Sequence, residues 1–244
     1  MINVTIWNEF HHEKTHEEVA ALFPKGIHMH LAEVLGTCEG LNIRTATLEE
    51  PEHGLTDEVL NSTDVLVWWG HMAHNKVCDE IAKKVQQRVL SGMGFIALHS
   101  AHFSKPFKAL MGTNCSLRWR DNDFCRVWTV MPNHPIAQGI GDYIDLECEE
   151  MYGEFFDVPT PDELVFVSWF AGGEVFRGGC VWNRGMGKVF FFHPGHETNK
   201  SFFNPQVQQV IKNAVKYVAP VGFRDTTDCE KRGESLESIR KGGK

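Results

Sequence analysis

Three stretches of the chain are apolar almost without interruption: Val4-Thr5-Ile6-Trp7, Val65-Leu66-Val67-Trp68-Trp69 and Phe95-Ile96-Ala97-Leu98. Continuous rather than alternating apolarity over four or five residues is the pattern of strands covered on both faces. Residues 41–47 read as a further strand. Helical spacing lies between these runs. Ile27, Leu31, Val34 and Leu35 form one face that ends at Gly36, and Val77, Ile81, Val85 and Val89 form another that closes at Ser91-Gly92. Asn75 is the expected cap of the second helix, Thr56 caps a turn through Leu60, and Ser104 caps a helix carrying Phe107, Leu110 and Met111. The alternation of strand and helix predicts a parallel sheet with helices on both faces and the three apolar runs adjacent in its core.

The second half is less regular. Residues 124–130, 144–148 and 164–170 are expected strands, and 149–154 an acidic, aromatic loop between the last two. Residues 180–182 and 188–192 suit an antiparallel hairpin turned by Arg184-Gly185-Met186-Gly187. Asn204-Pro205 is a strong helix start, and Val207, Val210, Ile211, Ala214, Val215 and Val218 give that helix an apolar face. The division expected is one α/β domain over 1–220 and a polar arm over 221–244.

Composition narrows the class. Hydrophobic residues make up 42% and charged residues 23%, and no apolar run approaches the ~20 residues of a membrane span. The start has no signal-type segment, so a cytoplasmic protein is expected. A net charge of −8 argues against nucleic acid, whose binding rests on phosphate neutralisation. The seven cysteines never fall in Cys-x-x-Cys spacing, which suits reduced thiols. The seven tryptophans and the polar arm point to a homo-oligomer.

The 13 histidines change the picture most. His11, His12, His71, His74, His99, His102, His193 and His196 each follow a predicted strand end by a few residues. In a parallel sheet those ends share one edge, where ligands bind. Converging imidazoles with a carboxylate suit a divalent ion, zinc above others, and His12, His71, His74 and His99 are the expected ligands.

The segments Gly92-Met93-Gly94-Phe95-Ile96-Ala97-Leu98-His99-Ser100-Ala101-His102, His134-Pro135-Ile136, Glu150-Met151-Tyr152 and 187–197, ending His193-Pro194-Gly195-His196-Glu197, resemble the trehalose-utilisation (ThuA-like) family in their order and separation. The resemblance implies a flavodoxin-like, class I glutamine amidotransferase-like three-layer sandwich, with a mainly parallel central sheet and added antiparallel strands. It also implies a role in bacterial use of trehalose or related disaccharides and of sugars oxidised at a ring hydroxyl. Glutamine amidotransferases carry a nucleophilic cysteine at the elbow after the central strand. His99 stands there, so glutaminase chemistry is not expected.

His99, Glu150 and His196 are therefore the expected catalytic groups, with Ser100, His102, Tyr152 and Glu197 binding substrate. A solvated acidic loop is the competing reading for Glu147, Glu149, Glu150 and Glu154, and the resemblance favours a site role for Glu150 alone. Ser100 as a nucleophile, with His196 as base and Glu197 orienting it, is a weaker alternative. His193 reads as a packed core residue, and His16, His28, His30 and His53 mostly as surface. Six of the tryptophans, Trp119 among them, read as core or interface. Three functions follow: a metal-dependent isomerase, lyase or hydrolase acting on a sugar by acid–base chemistry, an accessory protein holding a carbohydrate for a partner sugar dehydrogenase, or a structural subunit.

Overall fold

In the computed structural model, which describes residues 1–224, 231 and 233–241, nine strands form one mixed sheet. They are β1 (Ile2–Asn8), β2 (Leu41–Thr47), β3 (Val65–Trp69), β4 (Gly94–Leu98), β5 (Arg118–Thr129), β6 (Tyr143–Gly153), β7 (Glu163–Phe170), β8 (Val175–Arg184) and β9 (Gly187–Phe192). Their spatial order is β2-β1-β3-β4-β9-β8-β7-β5-β6. The three apolar runs lie side by side as β1, β3 and β4, with Ile6 opposite Val67 and Val67 opposite Ile96. Every residue of β3 and β4 is buried, and the Trp7 and Trp68 rings stack 3.8 Å apart. Each fully buried side chain of this kind contributes ~1.5–3 kcal/mol relative to exposure.

The sheet is an α/β fold of the flavodoxin type whose parallel character stops half-way. Pairings among β2, β1, β3, β4 and β9 are parallel, and those among β9, β8, β7, β5 and β6 are antiparallel. The mainly parallel sheet expected from sequence is thus an even mixture, because the second half is joined by hairpins rather than crossover helices. The predicted hairpin closes at Arg184 opposite Gly187, with Gly185 at a φ of +59° that favours glycine.

The helices lie close to their predicted positions. Thr56 Oγ1 accepts from the Val59 amide, Ser104 Oγ from Phe107, and Asn204 Oδ1 from Gln206 and Val207. The helix Pro205–Val218 buries its predicted face and packs so tightly on β4 that a Cβ at Gly94 would sit 2.4 Å from the Val218 carbonyl oxygen. Asn75 does not cap its helix: a short 3-10 turn, His74–Lys76, intervenes and the helix Asp79–Ser91 begins after Cys78. His28 is buried against Phe10 and bonded to Asn8 rather than exposed, because the first turn of the helix Ile27–Gly36 seats on the end of β1.

The largest departure concerns 149–154. No loop interrupts the chain there: β6 runs through to Gly153, held by β5, which begins at Arg118 and pairs Trp119 with Tyr152. Glu149 and Glu150 point to opposite faces of β6, and both are buried. In the arm, Leu236–Lys241 is helical, while 225–230, 232 and 242–244 lie outside the described residues. The cysteines among the described residues are free; Cys229 is outside them.

Candidate active site

β4 and β9 are parallel neighbours, so His99 and His193 leave the sheet at the same edge. Strands alternate in direction from β9 outward, which sends the carboxyl end of β6 to that edge as well. In a flat sheet β6 would lie five spacings, or ~24 Å, from β4. Instead the Tyr152 hydroxyl is 3.3 Å from His99 Nε2, and the two rings stack at 5.0 Å. The antiparallel half therefore curls back over the end of the parallel half.

His99 occupies the elbow with φ +52°, a left-handed conformation that is uncommon for a residue with a side chain and is found disproportionately at functional turns. Its Nδ1–H donates to the His193 carbonyl at 2.8 Å, so Nε2 is the nitrogen that faces the site. Nε2 lies 2.9 Å from Glu150 Oε2, a charge contact without the alignment of a hydrogen bond. Complete burial pulls the imidazole pKa down, but the contact with Glu150 and its charge outweigh this and hold it at about 9. Burial likewise pushes the Glu150 carboxyl up, and His99 overrides it to about 2.

Behind this pair stands a scaffold that sequence reasoning assigned to core or solvent. His193 is fully buried, and burial drives its pKa down to about 4. Its Nε2–H donates to the Glu150 carbonyl at 2.8 Å. Glu149, fully buried, accepts from the amides of Glu150, Gly195 and His196 and from Ser201 Oγ. Burial alone would raise its pKa, but positive charge on His99 and His193 and these donors leave it lowered. Glu149 thus ties β6 to the loop after β9. Along the chain Glu149 is one acid among Glu147, Glu149, Glu150 and Glu154, and its burial follows only from the continuation of β6 to Gly153.

Glu197 joins two further histidines. Its Oε1 is 2.5 Å from His12 Nδ1 and 2.7 Å from His71 Nδ1. Burial opposes ionisation of this carboxyl, but the two imidazoles hold its pKa far below the usual range, and the bond to Glu197 raises that of His12. His71 also belongs to a second grouping, in which one ligand atom each of His71, Glu150 and His196 lie within 4.8 Å of one another, as do those of His12, His71 and Glu197. Burial lowers the His196 pKa, which favours the neutral, metal-binding imidazole. Oε2 of Glu150 and Oε2 of Glu197 are buried without a hydrogen-bond partner.

Of the four predicted metal ligands, the structure brings His12 and His71 into these groupings and places His74 and His99 outside both. His74 faces Phe103 and is lowered to about 4 by burial. The three predicted catalytic groups come together: the His99 and His196 rings are 5.3 Å apart, with Glu150 between His99 and His71. Ser100 Oγ is buried and makes no hydrogen bond, to His196 included. Glu150, His196 and Ser100 line a cavity of about 320 Å³ together with His71, His74, His102, Tyr152 and the exposed Trp119, and the fully buried His99 stands behind that wall. A wider cleft of about 660 Å³ beside Asp145, Cys148 and Lys200 contains none of the clustered histidines.

The family model for trehalose utilisation (ThuA) matches residues 3–218. The chain belongs to the ThuA family. Solved structures with the same fold include a ThuA-like protein from Bacteroides uniformis, at 15% identity and TM-score 0.63 over 89% of this chain and 91% of that one. A ThuA-like protein from Parabacteroides merdae has 11% identity and TM-score 0.63 over 93% and 92%. A cytoplasmic protein from Salmonella typhimurium has 14% identity and TM-score 0.61 over 89% and 99%. No curated protein matches the chain. Among the described residues of this ThuA family member, no helix is long and apolar enough to cross a membrane.

Proposed function

We propose that this ThuA family member is a metal-dependent enzyme of carbohydrate utilisation that acts on a sugar or keto-sugar by acid–base chemistry. The observation that carries this reading is the convergence of His71, Glu150 and His196 on one cavity, one ligand atom of each lying within 4.8 Å of the others. Two imidazoles and a carboxylate open on one side form a donor set that zinc or a similar divalent ion takes in catalytic sites. His71, His196 and Glu150 would hold the ion. Glu197, bonded to His71 Nδ1 and itself bonded to His12, orients that ligand and leaves Nε2 free. When bound, such an ion supplies Lewis acidity toward a sugar carbonyl or hydroxyl.

The remaining groups move protons. His99 is fixed at Nδ1 by the His193 carbonyl, with Nε2 beside Glu150 and the Tyr152 hydroxyl, and it exchanges protons with an oxygen in the cavity through those two lining groups. Tyr152 stacks on the ring and holds its plane. The same reading takes the helices as layers on both faces of the parallel half and places the protein in the cytoplasm. It also takes the protein to self-associate: Trp128, Tyr143 and Trp169 are exposed on the outer antiparallel strands, and light scattering should give a mass above that of one chain.

The test is metal analysis of protein purified without an affinity tag. About one divalent ion per chain is expected, as in sites with three protein ligands and one open position, and it should be lost from His71→Ala and required for turnover of a keto-disaccharide. Metal-free protein from careful preparations, or metal content unchanged in both His71→Ala and His196→Ala, overturns the reading. Metal and sugar binding without turnover would transfer the site to an accessory protein that hands its ligand to a sugar dehydrogenase.

A further inference from the structure

The sheet ends in an open edge on its antiparallel side. β6 is the last strand in the order and ladders with β5 alone. Antiparallel strands turn successive residues alternately toward and away from a given neighbour. The Thr129 amide donates to the Asp142 carbonyl at 2.9 Å, which fixes the phase: Ile144 and Leu146 turn their main-chain groups to β5, and Tyr143, Asp145 and Glu147 turn theirs outward. Among the described residues no other strand or main-chain group bonds to that outer edge. Beside Asp145 and Glu147 it opens on the cleft of about 660 Å³, whose far wall carries Lys200 and Phe203.

Edge strands are ordinarily protected by a bare charge, a proline or a bulge. The opposite edge of the sheet follows that rule: β2 carries the exposed Arg44, whose guanidinium reaches only the Ser62 hydroxyl among the described residues, at 3.3 Å. The free stretch of β6 is different. Residues 143–147 contain no proline, and pairing with β5 is regular from Tyr143 to Leu146. Asp145 is the charge at its centre, and Arg126 neutralises it through two bonds, Nε to Oδ1 at 2.6 Å and Nη2 to Oδ2 at 2.9 Å. The same guanidinium lies 4.3 Å over the Tyr143 ring.

We infer that this edge is the surface through which two copies of the chain associate, β6 against β6 in antiparallel register about a twofold axis at Ile144, so that two nine-stranded sheets become one. This rests on the self-association read above and names its seam. Charge selects the register. Centred on Ile144, Tyr143 lies opposite Asp145 of the second copy and Asp145 opposite its Tyr143, and both pairs exchange their outward N–H···O bonds. Centred on Asp145 or on Leu146, carboxylate meets carboxylate directly, which is destabilising. At the Ile144 register Asp142 of the second copy enters the cleft that Lys200 lines. An isologous pair of this kind closes at two chains. Trp128 and Trp169 lie one and two strands inward on the face of Tyr143, so Tyr143 is the exposed aromatic at the seam.

The experiment is light scattering over a dilution series, with circular dichroism as the check on folding. The wild-type chain should show the mass of two chains and dissociate on dilution. Asp145→Pro removes an amide that faces away from β5, so the chain's own ladder survives. By symmetry it removes two bonds between copies and should raise the dimer dissociation constant at least ~10-fold. Asp145→Asn, which keeps the amide, should stay dimeric. Tyr143→Asp sets like charges opposite one another and should be monomeric at concentrations where Tyr143→Lys, which meets Asp145 with opposite charge, stays dimeric. That second pair decides the matter if the proline variant does not fold. A wild-type mass of one chain at every concentration overturns the self-association reading and this inference with it. A dimer untouched by Asp145→Pro and Tyr143→Asp, or lost in Trp169→Ser while both of those keep it, overturns the edge pairing and leaves self-association standing. Equal loss in Tyr143→Asp and Tyr143→Lys overturns the register and the inference with it.

Discussion

The two halves of the sheet meet at the site, and they supply it differently. The parallel half delivers His71, His99, His193 and His196 from loops and turns at strand ends, where the chain has already left the ladder. The antiparallel half delivers Trp119, Glu149, Glu150 and Tyr152 from within β5 and β6, with their backbones still paired. Imidazoles thus come from one half and carboxylates largely from the other. Loop-borne groups need side-chain bonds to fix them, as His99 has to the His193 carbonyl and His71 to Glu197. Strand-borne groups are fixed by register, so their accuracy depends on how the sheet curls. The chemistry exists only where the halves touch.

The sharpest test of that division removes one proton-handling group from each half. His99→Gln and His196→Gln from the loops, and Glu150→Gln from the strand, should each lower turnover of a keto-sugar by at least ~10²-fold while circular dichroism remains native. Near-normal steady-state rates in all three would end the acid–base assignment. A loss confined to the loop-borne pair would make Glu150 a structural carboxylate.

Next in size is the tie between the halves. Glu149→Ala strands several buried donors, each costing about 1–3 kcal/mol when left unpaired, so the unfolding free energy from urea titration should fall by at least ~3 kcal/mol. An unfolding free energy within ~0.5 kcal/mol of wild type, the range of ordinary surface changes, would show that β6 does not need this anchor.

Proton linkage separates the histidine populations more gently. In metal-free protein His99 has its pKa raised from 6.5 to about 9, so its stabilisation is complete below 6.5 and is lost as pH rises through 9. His102 and His193, lowered to about 3 and about 4, contribute stability that is present above 6.5 and is lost as pH falls toward those values. Urea midpoints should therefore peak between the two limbs. His99→Gln should flatten the alkaline limb and spare the acid one. An alkaline limb unchanged in that variant would mean that Glu150 does not hold His99 protonated.

The smallest effect belongs to the outer face of the antiparallel half. Within one chain Arg126 and Asp145 pair at the surface across β5 and β6, beside the Trp128, Tyr143 and Trp169 proposed for self-association, and such an exposed pair contributes at most ~1 kcal/mol to the fold of one chain. At protein concentrations where the chain is monomeric, Arg126→Ala should lower the unfolding free energy from urea titration by no more than that and leave metal content untouched. A larger loss that grows with protein concentration would show that the pair also serves the proposed contact between copies of the chain.

Much of this was legible along the chain. β1, β3 and β4 announce themselves because strands covered on both faces must be apolar at every position, and no helix-period pattern competes with them. The caps at Thr56, Ser104 and Asn204 are local chemistry between residues two or three apart, so sequence suffices for them as well. Histidines after strand ends marked the edge that carries the site, since parallel strands bring their carboxyl ends together whatever the loops do.

Which histidines meet which carboxylates was not legible. His12 and Glu197 are 185 positions apart and bond at 2.5 Å; His74 lies three residues beyond His71 and stays outside both groupings. Glu149 resembles any solvated acid until its strand is seen to continue and its carboxylate to meet the amides of Gly195 and His196. Trp119 resembles core until β5 presents it, exposed, beside Tyr152. Local pattern records which face of an element is buried, whereas the partner across the cavity is decided by the curl that carries β6 back over β4. That curl follows from the summed twist and packing of many strand pairs, and no short window of sequence contains it.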